Sequence, residues 1–213
     1  MPKQVLSKKF ITENILFPTG CNIIKINNKN HKEVIAQAAN FIKNGKVVIF
    51  PTDTVYGLLA DARNQKAVTR IFSIKKRNKK QYLPVFVKDT KMAEKFGQVE
   101  KQQKILLKKY WPGKITVVLK RKENIKLYGL DKKTIAIRIP KQKFLNALLD
   151  KLNFPVVQTS ANISGVLPIT NAEDIFKQFK KNKPDLIIDG GELKTKSSKI
   201  IDLTIKPYKI LRQ

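Results

Sequence analysis

The stretch Lys46-Val-Val-Ile-Phe-Pro-Thr-Asp-Thr-Val-Tyr-Gly-Leu58 constrains the fold more than any other part of this sequence. A continuous β-branched and aromatic run, 47–50, suits a strand covered on both faces. Pro51 has no N–H to give to a sheet ladder, so the strand ends there. Thr52, Asp53 and Thr54 follow at once, placing hydroxyls and a carboxylate past a strand end. Open α/β sheets hold their ligands at such ends. The same residues also suit an ordinary strand-to-loop turn, where Thr and Asp are common.

From Ile23 onwards short apolar runs alternate with amphipathic ones. Val34, Ile35, Ala38, Phe41 and Ile42 share one helical face, and Gly45 can end that helix. Asn64 is placed to cap a helix through Ile71, Phe72 and Ile74. A basic loop, 75–82, leads to a strand at 83–87. Val99, Ile105, Leu106 and Tyr110 mark a helix stopped by Trp111-Pro-Gly113. Strands are expected at 115–119, 134–139 and 154–157, and again at 186–188, 199–203 and 208–211. Helices are expected at 144–152 and after Asn171. Residues 1–22 lack a period and read as an extension, leaving one α/β domain over 23–213.

The 213 residues carry 44 Lys and Arg against 16 Asp and Glu, a net charge of +28. Such a field favours polyanions. Only six of the 44 are arginine, so part of the charge is lysine-rich solvated surface, and each arginine stands out as a bidentate oxyanion holder. One cysteine, Cys21, excludes an internal disulfide and fits a reducing, cytoplasmic setting. One histidine, His31, in a polar stretch, leaves no basis for a Cys/His zinc site. No apolar run reaches the length needed to span a bilayer, so no membrane association is expected.

No standard phosphate loop and no dinucleotide glycine fingerprint is present. Any nucleotide must then be held by side chains and irregular loops. Lys75-Lys-Arg77 ends an amphipathic helix, where cations also serve the helix dipole. In Thr134-Ile-Ala-Ile-Arg138-Ile-Pro140, Thr134, Ala136 and Arg138 share one strand face. An arginine there needs a partner: a ligand carboxylate or a structural acid would serve equally. Thr159-Ser160-Ala-Asn162-Ile-Ser-Gly165 breaks a strand into hydroxyl and amide side chains. Ser197-Ser198 before a strand and Arg212 after one repeat the theme. The set suits orienting anions, with no imidazole to move protons.

Six motifs occur in order: Pro51-Thr-Asp-Thr-Val-Tyr-Gly-Leu58, Ile71-Phe-x-Ile-Lys75-x-Arg77, Trp111-Pro-Gly-x-x-Thr116, Thr134-x-Ala-x-Arg138-x-Pro140, Thr159-Ser-Ala-Asn162-x-Ser-Gly165 and Ser198-x-Ile-x-Asp202. The sequence thereby resembles the YrdC/TsaC threonylcarbamoyl-AMP synthases over about 23–213. The resemblance implies an α/β fold, an open twisted mixed sheet (parallel and antiparallel) with flanking helices around a basic concave cavity. It implies an enzyme, a nucleotidyltransferase. This would join L-threonine, bicarbonate or CO2, and ATP into threonylcarbamoyl-AMP and pyrophosphate, with Mg2+ accompanying ATP. Partner proteins would then carry the threonylcarbamoyl group to an adenosine beside the anticodon of tRNA. By motif, Thr54, Tyr56, Arg138 and Ser198 would contact L-threonine. Lys75 and Arg77 would grip the polyphosphate and act in catalysis. Thr134, Ser160, Asn162 and Arg212 would contact ATP. No metal-ligating residue is expected.

Two positions depart from the family pattern: Asn78 and Lys114 stand where proline is usual. The last motif arginine is followed by one residue, so the resemblance is to the single-domain form. The tyrosine-glycine, lysine-arginine and Ser-Ala-Asn motifs are intact, unlike those of the related YciO type. The rival function is a non-catalytic RNA-binding or ribosome-assembly factor of the same fold, which the charge would suit.

Overall fold

The computed structural model of the protein describes residues 14–16, 21–179, 181–193 and 196–213. In chain order its elements are β1 (Asn14–Leu16), β2 (Asn22–Lys25), α1 (His31–Lys43), β3 (Val48–Phe50), β4 (Gly57–Asp61) and α2 (Gln65–Lys75). Then come β5 (Val85–Phe86), α3 (Thr90–Phe96), α4 (Lys101–Tyr110), β6 (Ile115–Lys120), β7 (Thr134–Arg138) and α5 (Lys143–Leu152). The last are β8 (Val156–Ser160), α6 (Ala172–Gln178), β9 (Leu186–Asp189), β10 (Lys199–Asp202) and β11 (Lys209–Arg212).

All the strands join one sheet in the order β1-β2-β9-β3-β4-β8-β5-β7-β6-β10-β11. Four neighbouring pairs are parallel (β2/β9, β3/β9, β5/β7 and β6/β10) and the rest are antiparallel. The sheet is thus open and mixed, as the resemblance implies.

Side-chain alternation divides the core. Val48 and Phe50 pack on one side of the sheet with α1 and α5, through Val34, Ile35, Leu145 and Leu148. Val47 and Ile49 pack on the other side with α2 and α6, through Ile71, Ile74 and Ile175. The expected 47–50 strand is therefore buried on both faces, and it stops at Phe50 before Pro51.

The expected helices all form. Asn64 caps α2 by accepting from Ala67 N at 3.1 Å, and Asn171 caps α6 by accepting from Asp174 N at 2.9 Å. Gly45 follows α1 at φ +71°, the left-handed region that glycine enters without strain.

Other expectations shift. The strand expected over 83–87 shortens to β5, and the one expected over 154–157 moves to β8. Four elements were not anticipated: β1, β2, β4 and α3. β4 begins at the glycine of the Pro51–Leu58 motif, and α3 begins after Asp89, whose carboxylate accepts from Met92 N at 2.7 Å. The stretch 1–22 lies mostly outside the described residues; within it, β1 pairs antiparallel with β2.

Candidate functional site

Strand β7 makes the floor of the site. Ile135 and Ile137 turn into the core, and Thr134, Ala136 and Arg138 line a cavity of about 440 Å³. Thr116 and Val118 of β6 and Ile200 and Asp202 of β10 extend the floor. Thr54, Tyr82, Pro84 and Ser160 form the facing wall, and Arg77, Ser198 and Arg212 complete it. Of the residues singled out from the sequence, Thr54, Arg77, Thr134, Arg138, Ser160, Ser198 and Arg212 meet around this space.

Arg138 is 1% exposed and fixed from several sides. Its Nε donates to Gly113 O at 2.9 Å, and its Nη1 donates to Thr54 Oγ1 at 3.2 Å. Its Nη2 donates to Asp53 Oδ1 at 2.5 Å, an ion pair whose two side chains are almost wholly buried. Asp53 Oδ2 also accepts from Lys141 N at 2.9 Å. The alternatives that the strand arginine posed are thus not exclusive: a structural acid pairs it, and the guanidinium still reaches the cavity.

Thr54 is set just as firmly. Thr52 Oγ1 donates to Val55 O at 2.7 Å and accepts from Thr54 N at 3.0 Å. The two threonine hydroxyls lie 3.0 Å apart, and with the Thr52 proton engaged, Thr54 is the donor between them.

At the far edge Arg212 Nε donates to Ser198 O at 2.8 Å, and its Nη2 donates to Ser198 Oγ at 3.0 Å. Thr116 Oγ1 lies 3.0 Å from the same hydroxyl. Arg77 Nε donates to Gln81 O at 2.9 Å, and Nη2 to Tyr82 O at 3.2 Å.

These arginines share an electrostatic signature. Burial lowers the pKa of Arg77, Arg138 and Arg212. The charge of Arg212 lowers Arg77 and Arg138 further, and for Arg138 the Asp53 carboxylate works the other way. Desolvated, mutually repelling cations are relieved by an entering anion.

Three of the predicted residues do not line the cavity. Lys75 is 2% exposed, and its Nζ donates to Ser160 O at 2.6 Å, Asn162 O at 2.7 Å and Asn162 Oδ1 at 3.2 Å. Burial, then the Arg77 charge, draw its pKa down to about 7. Three oxygens around one nitrogen require the ammonium, so the bonded geometry is that of the charged form. Lys75 therefore reaches the cavity only through the turn that carries Ser160. Asn162 lies in that turn, with its Nδ2 donating to Ile163 O at 3.0 Å and Val166 O at 2.5 Å.

Tyr56 is fully buried. Its hydroxyl donates to Gly191 O at 2.7 Å and accepts from Gly190 N at 3.0 Å, tying the Thr54 wall to the chain leaving β9.

Four further residues belong to the site, although the sequence reading gave none of them a role in it. Asp53 and the Gly113 carbonyl fix Arg138, and Asp131 and Asp202 line the floor. Their signals were legible as Asx turns, Asp131-x-Lys133 and Asp202-x-Thr204. Among the described residues no group of three or more His, Cys, Asp or Glu side chains could hold a metal ion.

Comparison with known proteins sets this geometry among relatives. A family model named for Sua5, YciO and YrdC, and described as telomere recombination, matches residues 40–213. A threonylcarbamoyl-AMP synthase of Pyrococcus abyssi is 36% identical over 89% of this chain. The chain spans only 56% of that relative's length. A putative threonylcarbamoyl-AMP synthase of Methanocaldococcus jannaschii is 37% identical, covering 85% of the chain and 86% of the relative. The crystal structure of P. abyssi Sua5 complexed with L-threonine superposes with a TM-score of 0.82 at 36% identity, over 89% of this chain and 56% of that one. A sheet of this order, a family match over most of its length and relatives above one-third identity lead to one conclusion: the chain belongs to the Sua5/YciO/YrdC family.

Proposed function

We propose that this protein is a threonylcarbamoyl-AMP synthase, joining L-threonine, bicarbonate or CO2, and ATP with release of pyrophosphate. The product would serve proteins that carry the threonylcarbamoyl group to tRNA beside the anticodon. The observation that carries this reading is the convergence of Arg77, Arg138 and Arg212 on one cavity with the Thr54 and Ser198 hydroxyls. The names of the relatives, and the L-threonine in the P. abyssi structure, support the same substrate.

Catalysis in this reading is positional. Arg138, oriented by Asp53, Gly113 and Thr54, takes the threonine carboxylate through its remaining donors. Thr54 and Ser198 offer hydroxyls to the same substrate. Arg77 and Arg212 neutralise phosphate charge while the threonine carbamate attacks the α-phosphate and pyrophosphate leaves. Ser160 and Thr134 orient the nucleotide. Lys75 and Asn162 hold the turn that presents Ser160, and Tyr56 holds the wall that presents Thr54.

Among the described residues no group of three or more His, Cys, Asp or Glu side chains would hold Mg2+ without ATP. Asp131 and Asp202 each give one carboxylate oxygen to local N–H and O–H groups, and no cluster of ligands surrounds them. A cation accompanying ATP would be carried by the phosphates, and no step here depends on it.

Isotope exchange between pyrophosphate and ATP tests the reading. Exchange is expected only with both L-threonine and bicarbonate present. Exchange with ATP alone contradicts it.

A further inference from the structure

The two ends of the cavity floor differ in chemistry. β6 and β7 run antiparallel and β6 and β10 parallel, which fixes what lies where. Arg138, at the end of β7, lies towards Thr116, Ser198 and the Ile200–Arg212 pair. Thr134, at its start, lies towards Lys120, and Asp202 pairs with Val118, itself opposite Ala136. Arg138 and Arg212 therefore occupy one end and Asp131, bonded to Thr134, the other, with Asp202 between them at the level of Ala136. Thr134 and Arg138 lie four residue steps apart along β7, roughly 13 Å at the rise of a β-strand. An amino acid and a nucleoside phosphate laid end to end would occupy such a floor.

Asp131 is held in a defined way. Its Oδ1 accepts from Lys133 N at 2.8 Å, Thr134 N at 2.8 Å and Thr134 Oγ1 at 3.2 Å. Burial works to raise its pKa, but those bonds outweigh it, and the carboxyl sits below its ordinary range. All three bonds fall on the same oxygen. Arg121 steadies the loop from behind, donating from Nη1 to Asp131 O at 2.7 Å and from Nη2 to Ile125 O at 2.7 Å. A fixed, ionised carboxylate in a cavity otherwise built for anions accepts hydrogen bonds and repels phosphate. It suits the part of a nucleotide that carries donors and no charge.

We infer that Asp131 sets nucleotide selectivity by accepting a hydroxyl of the ribose, with the phosphates running from there towards Arg212 and Arg138. This rests on the synthase reading above, and specifies how ATP lies in that site. Asp202 is level with Ala136, midway along β7, and β10 lies towards the rim of the sheet, whereas Thr134, assigned to the nucleotide above, adjoins Asp131.

Asp131→Asn isolates the claim. The donors around Oδ1 keep the amide oxygen where it is, so the amide NH2 replaces the other carboxylate oxygen. Calorimetry would compare ATP, 2′-deoxy-ATP and 3′-deoxy-ATP on wild type and variant. A charge-assisted hydrogen bond corresponds to a roughly tenfold to hundredfold preference for ATP over at least one deoxy analogue in wild type. The variant should lose that preference to within about twofold. The ratio is the readout, because removing a negative charge changes the affinity of all three nucleotides alike. Equal affinities in wild type overturn the inference without any variant, so a poorly folded variant does not shield it. A ratio unchanged in folded Asp131→Asn overturns it too. Failure of wild type to bind any nucleotide brings down the synthase reading together with this one, which separates the two failures.

Discussion

Arg138 joins two roles that are usually separable: it is an ion-pair partner in the interior and a cavity wall. Breaking a buried pair by removing one member costs about 3–5 kcal/mol, because the other charge is stranded. Arg138→Ala should therefore lower the stability of the ligand-free protein by that order, read from urea unfolding, since Asp53 would lose its partner at 5% side-chain exposure. An unchanged unfolding midpoint would contradict the pairing. Stability alone thus cannot separate clamp from scaffold, and threonine affinity must. Arg138→Lys keeps the charge and loses the fork, so threonine binding should weaken at least tenfold in the folded variant. Arg77 contrasts with it. Among the described residues its guanidinium bonds the carbonyls of Gln81 and Tyr82, on its own loop. Arg77→Ala should weaken ATP binding roughly tenfold to a hundredfold, as loss of a charge-assisted contact does, while the melting temperature moves little. Unchanged ATP affinity by calorimetry would remove Arg77 from the site.

At the scale of elements, each motif proves to be a strand or helix end together with the loop it launches. The turn after β8 illustrates this. Lys75 closes α2, and its ammonium gathers the carbonyls of Ser160 and Asn162, while Ser164 N donates to Lys75 O at 2.9 Å. Lys75→Met fills the space but takes the donor from the carbonyl of buried Asn162, worth about 1–3 kcal/mol, while Ser160 O keeps its bond from Asn162 N at 3.0 Å. Stability should fall by about 1–3 kcal/mol, and ATP binding should weaken through the misplaced turn; a fully stable variant would show the turn to be held by other means. Gly113 makes a comparable junction. Its carbonyl orients Arg138, and a Cβ there would lie 2.7 Å from Tyr110 O.

Much of this was legible in the sequence, for definite reasons. Asn64 and Asn171 marked helix starts because cap chemistry is local. The sharing of one strand face by Thr134, Ala136 and Arg138 followed from period two. What escaped depended on distant parts of the chain. β4 hid inside a motif read as a loop, because its pairing with β8 is long-range. The Asp53 partnership with Arg138 spans 85 residues, and no local pattern encodes it. The polyphosphate role of Lys75 came from the motif it shares with Arg77; its burial among carbonyls follows from where β8 ends, which no local pattern gives.

For the whole molecule, the net charge of +28 and the cavity are separate features. The cavity lining holds three arginines and two aspartates and no lysine. The abundant lysines thus lie elsewhere, where they offer a solvated field to polyanions. An RNA-binding factor would need only that field. A synthase needs the paired Arg138, the Ser198 edge and the Ser160 turn in one space, and these are what the sheet order brings together. Among the described residues no helix is long and apolar enough to cross a membrane. The most direct test is pyrophosphate release from ATP, measured with L-threonine and bicarbonate together, with each omitted in turn, and with serine in place of threonine. Release only with threonine and bicarbonate together is the predicted result; equal release with serine, or with no amino acid, would contradict the assignment.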